Sequence, residues 1–109
     1  MIPTIPLLRS GSIYRSLDVQ PIVKVGGGDE VARITMANSG LIRRDLLNLR
    51  DGRLALQKFT AAELLDITLA AGEIFLNDDL PVGDDGSLQS PEDYLQSLAA
   101  TSGFPHALI

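Results

Sequence analysis

Cysteine is absent from this chain of 109 residues. Disulfides, a thiolate nucleophile and any cysteine-ligated metal are therefore excluded. No apolar run approaches the roughly 18 residues of a membrane-spanning helix, so no membrane partner is expected. Histidine occurs once, as His106, with no second ligand or nucleophile near it in sequence, and a surface or partly packed imidazole is the expected role. Beyond Lys58 there is neither lysine nor arginine. Phosphate-binding glycine patterns are missing too. Gly26-Gly27-Gly28 fits neither G-x-G-x-x-G nor G-x-x-x-x-G-K-[ST], and Asp29 and Glu30 behind it would repel an anion, so a plain turn is expected. No catalytic, cofactor-binding or metal-ligating residue is assigned.

Charge is divided along the chain. Residues 1–58 hold all nine basic side chains against five acids, and residues 59–109 hold nine acids. Such asymmetry can mark a nucleic-acid surface. Interleaved aromatics and a tight Lys/Arg cluster are lacking, so no nucleic acid is expected as a partner, and the two halves are expected to neutralise each other on folding. A chain of this size has room for one core, burying about 65% of the surface its unfolded form exposes. Met1 to Leu8 is apolar but has no basic start and contains Pro3 and Pro6, unlike a signal peptide. A cytoplasmic location is expected.

The fold class expected is α+β, with two short β-hairpins followed by three helices in a partial domain. Residues 1–38 form a β arm: Ile5 to Arg9 and Ser12 to Leu17 flank Ser10-Gly11, a dipeptide suited to a tight hairpin. Gln20 to Val25 then pairs with Val31 to Met36. Alternation places Val23 and Val25 on one face of the former, and Ala32, Ile34 and Met36 on one face of the latter. Residues 39–109 are helical. Asn38 or Ser39 caps a helix near 40–57, with a kink or break expected at Gly52.

A second helix spans 61–77. Thr60 and Glu63 have the spacing of a capping box, and Phe59 and Leu64 that of a hydrophobic staple. This helix is apolar around most of its circumference, so more than one neighbour should cover it, from this chain or from a partner. Asn77 to Gln89 is an acidic loop with Asp78, Asp79, Asp84 and Asp85, without the ligand spacing of an EF-hand. Ser90 and Pro91 start a third helix, near 91–102, with Glu92 and Asp93 in its first turn.

The succession from Leu7 to Tyr14 around a glycine turn, through Val31-Ala32-Arg33-Ile34 and Leu54-Ala55-Leu56, to Phe59-Thr60-Ala61-Ala62-Glu63-Leu64-Leu65 resembles the N-terminal entry of the aldehyde dehydrogenase superfamily. Ala99-Ala100-Thr101-Ser102-Gly103-Phe104-Pro105 is similar to the acyl-CoA reductase branch. The resemblance covers the opening part of such an enzyme. It departs at Leu65, where members often carry an arginine, and at Leu56, where an aromatic is common. It implies, for a complete relative, thiolate attack on an aldehyde or thioester and hydride exchange with NAD or NADP. Without a cysteine this chain supplies no part of that chemistry. The function expected is the N-terminal structural portion of such an oxidoreductase, not catalytic by itself. The close of the sequence at Ala107-Leu108-Ile109, just after Pro105, agrees with truncation. The alternative is a small non-enzymatic interaction or self-association module. The partner is a second copy or the remainder of a longer enzyme.

Overall fold

The computed structural model describes residues 2–83 and 86–108, with only the backbone at His106. The fold is α+β. In chain order it runs β1 (Thr4–Ile5), β2 (Leu7–Arg9), β3 (Ser12–Tyr14), β4 (Val19–Val23), β5 (Glu30–Thr35), α1 (Ser39–Leu47), α2 (Leu49–Leu56), α3 (Ala61–Asn77), β6 (Leu80–Pro81), β7 (Leu88–Gln89) and α4 (Pro91–Ser102), before a 3-10 turn at His106–Leu108.

Both expected hairpins form. β2 pairs with β3 across Ser10-Gly11, and β4 pairs with β5 across the three glycines, all of which have positive φ. The first strand, however, is two strands. Pro6 has no N–H to give to a ladder, and the chain changes partner there: β1 lies parallel to β5, Thr4 opposite Arg33 and Ile5 opposite Ile34, making a three-stranded sheet of order β1-β5-β4. In β4 Ile22 is half-buried while Val23, like Val25 just beyond the strand, is exposed. A register shift between Ile22 and Val23 passes over Val31, so the extra residue lies in β5. In β5 the buried residues are Ala32 and Thr35, 8% and 5% exposed and on opposite faces of the strand, while Arg33 is exposed on the face that Thr35 shares.

The helix expected near 40–57 is broken, at Asn48 and not at Gly52. Asn48 sits at φ −98°, ψ 5°, and its N–H bonds back three residues to Asp45 O at 3.0 Å. Asparagine is a weak helix former, though its side chain makes no cap bond here. Gly52 stays helical inside α2, where it costs only its propensity. Asn38 caps α1, its side-chain oxygen accepting from the Leu41 N–H at 2.8 Å.

α3 begins and ends as the pattern requires. Its cap is half of the expected box: Thr60 accepts the Glu63 N–H at 3.1 Å, but the Glu63 carboxylate takes the Thr60 hydroxyl and leaves the cap N–H alone. The reciprocal box is at α4, where Ser90 accepts from the Asp93 N–H at 3.1 Å and Asp93 accepts from the Ser90 N–H at 3.0 Å. The segment read as a loop, 77–89, contains the short antiparallel pair β6–β7. α4 closes the small core over Ile22, Val31 and Ala32 and is tied to the sheet by the Val25 N–H donating to Ala100 O at 2.9 Å.

Candidate functional site

Polar side chains are the first place to look for chemistry. Arg9 on β2 makes a two-pronged bond to Asp45 on α1, 2.8 Å from Nε and 2.6 Å from Nη2, and lies over the Tyr14 ring at 4.9 Å. These hydrogen bonds, helped by the opposite charge, hold the Asp45 carboxyl below its usual range and push Arg9 up. The pair clips the β2–β3 hairpin to the first helix and brings no nucleophile or base with it. Lys24–Asp29 and Arg33–Glu30 are ion pairs around the β4–β5 turn. The triple glycine serves that turn: the Lys24 N–H reaches Asp29 O, and the Gly27 N–H reaches Lys24 O, each at 3.1 Å.

Each of these ion pairs joins two residues of the basic half. The expected neutralisation between halves is not what they provide, and Arg43, Arg50 and Arg53 have no ion-pair partner among the described residues. No group of three or more His, Cys, Asp and Glu side chains is arranged for a metal among the described residues. Asp84, Asp85 and the His106 side chain lie outside them. No described helix is long and apolar enough to cross a membrane.

A hollow of about 310 Å³ lies between the sheet and α4, lined by Ile5, Ile22, Val31, Ala32, Val82 and Leu98 with Tyr94, Ser97, Gln89 and Thr101 at its margins. It is the gap in a small core, apolar and without an acid–base pair.

The largest feature is the helical surface. From Leu46 to Asp79 every residue is exposed, including Leu54, Leu56, Phe59, Leu65 at 70% and Leu69 at 67%. α3 touches the rest of the fold at its C-terminal end, where the Phe75 and Tyr94 rings meet edge to face at 4.9 Å. The coverage expected for α3 is thus not supplied from within the chain. The molecule presents 8443 Å² to solvent, whereas a folded monomer of this mass presents about 5,900 Å². Its unfolded chain would expose about 17,000 Å², so folding hides about half of that surface and not the two thirds expected. The radius of gyration, 16.8 Å, likewise exceeds the roughly 13 Å of a compact chain of this length.

This surface was readable in part. The near-continuous apolarity of α3 signalled a need for several neighbours. What periodicity along one helix does not encode is which neighbour, and the splaying of α2 from α3 across residues 57–60 has no local signature. Neither a family model, nor a curated protein, nor a solved structure matches this chain.

Proposed function

We propose that the chain is a non-catalytic assembly element, the N-terminal structural portion of an NAD(P)-dependent aldehyde dehydrogenase or acyl-CoA reductase-like oxidoreductase. The observation that carries its structural half is the unbroken exposure from Leu46 to Asp79. An apolar patch beyond a few hundred Å² marks an interface, and the molecule as a whole exposes about 2,500 Å² more surface, polar and apolar together, than a compact monomer. The oxidoreductase half rests on the order of elements that resembles that superfamily's entry. Chemistry by this chain alone is ruled out for that family's route, because the covalent intermediate needs a thiol. The reading frame that encodes the chain tests the family: a continuation carrying a cysteine and a nucleotide loop supports it, and a stop codon after Ile109 defeats it. Purified chain given aldehyde with NAD(P), or acyl-CoA with NAD(P)H, is expected to produce no change in absorbance at the reduced-nicotinamide band.

A second reading, a small self-association module, is favoured by one observation. The exposed helices carry opposite charges on elements that do not cover each other.

A further inference from the structure

We infer that α1–α2 of one copy packs on α3 of a second copy, and α3 of the first on α1–α2 of the second, in a two-fold dimer. The inference rests on the reading that the helical surface is for docking, but not on the oxidoreductase family. Residues 39–58 carry five basic side chains against Asp45 and Asp51, a net +3, and Asp45 is already held by Arg9. α3 carries Glu63, Asp66 and Glu73 and no basic residue, a net −3. Spacings of three and seven place these three acids on one side of α3. On α2, Leu49, Gly52, Arg53 and Leu56 share a face and, with Arg50, line a shallow apolar hollow. Gly52 leaves its floor open, since a Cβ there would meet nothing within 4 Å.

Two surfaces of matched charge on one chain that leave each other uncovered are self-complementary, which is what an isologous contact requires. The two-fold satisfies both matches at once. The area agrees: the excess of about 2,500 Å² per chain lies within what an obligate homodimer hides. The short link 57–60 acts as the hinge of an exchange. Its turn is set by Gln57 N–H to Arg53 O at 3.0 Å and Phe59 N–H to Leu56 O at 3.1 Å, and α2 and α3 are exposed along their whole length on either side of it.

Sedimentation equilibrium of the intact chain between about 1 and 100 μM, corresponding to Kd values at or below the micromolar range, is expected to show twice the 11.7 kDa monomer mass. Dissociation should strengthen with salt, because the rim charges are screened. Two double variants decide the register. Arg50→Glu with Arg53→Glu makes both surfaces of a chain acidic, and Asp66→Arg with Glu73→Arg makes both basic. Each alone should dimerise at least tenfold more weakly, on the order of what opposed like charges cost. An equal mixture of the two should recover the dimer, since every contact is then acid against base. Circular dichroism of each variant checks that the helices persist. A dimer indifferent to all four substitutions, or a mixture that stays monomeric, overturns the inference and leaves the docking role standing. A wild-type monomer whose α3 amides are protected from exchange overturns both, since α3 would then be covered by its own chain. A monomer with α3 unprotected overturns only the second copy as occupant and transfers the surface to the remainder of a longer chain.

Discussion

A methyl group at position 83 would stand 2.8 Å from the carbonyl oxygen of Thr4 and 3.3 Å from Pro3 Cβ. Gly83 also holds φ at +75°, where L side chains are rarely found. Its backbone lies against the start of β1 and so anchors the β6–β7 segment to the sheet. Gly83→Ala is expected to cost about 1–3 kcal/mol, the range for backbone strain at such a site, read as a fall in the denaturation midpoint. By contrast Gly86, also at positive φ but in open space, should lose only the conformational part when substituted. Asp93 supplies a second residue-scale prediction. The Ser90 N–H, and after it the Ser90 hydroxyl, hold its carboxyl below the ordinary 3.8. A depressed folded value contributes stability that is complete above the unfolded value and is lost as pH falls through the folded one. Start-of-helix protection in α4 should therefore persist below the ordinary carboxylate range and then disappear, and Asp93→Asn should abolish that acid transition. Amide exchange of Glu92 to Leu95 measured down a pH series reports it.

At the scale of elements, Thr60→Ala removes the acceptor for the Glu63 N–H and should destabilise α3 by about 1 kcal/mol. Loss of exchange protection confined to the first turn of α3 would be the sign, and an unchanged first turn would place the helix start elsewhere. Elements were the most legible level. The bounds of α3 and α4 follow from caps and apolar spacing, because those signals lie within a few residues of the structure they specify. The Ser10-Gly11 hairpin is equally local, with Ser10 at φ 49° and Gly11 at φ 80°. Illegible features depend on distant partners. Thr4 meets Arg33 only after the chain has made two hairpins, so nothing beside Pro6 announces a parallel pair. β6 and β7 are two residues each, too short to show alternation, and they exist because α4 holds them. The bulge is equally unannounced: beside Val23 the pairing skips Val31, an extra residue in β5. Asn48 and Gly52 are two helix-weak residues four apart, and the helix breaks at the first and runs through the second.

For the whole molecule, the candidate site was legible as a need but not as a place. Charge segregation and the apolar girth of α3 could both be counted from the residues, yet their consequence depends on α2 and α3 diverging after Phe59. Had the two helices closed on each other, the same sequence would have read as a neutral, finished bundle. The Arg9–Asp45 clip and the Phe75–Tyr94 ring contact show where the helical arm is held instead: near its two ends, with the stretch between them projecting from a molecule 43 Å in its longest dimension.

That projection ties the existence of the fold to supply. Apolar helices that stay wet in the lone chain contribute little to its own stability, so under the dimer proposed above the ordered form would persist in proportion to how much of the partner copy is present. For a dimer, each tenfold rise in chain concentration adds about 1.4 kcal/mol to the free energy of unfolding per assembly. The thermal midpoint of the purified chain should climb with concentration, and a midpoint that stays level over a hundredfold dilution would show that the small sheet and α4 hold the structure unaided. If the dimer proposed above forms, copies left without a partner are the ones whose uncovered leucines stay open to proteases.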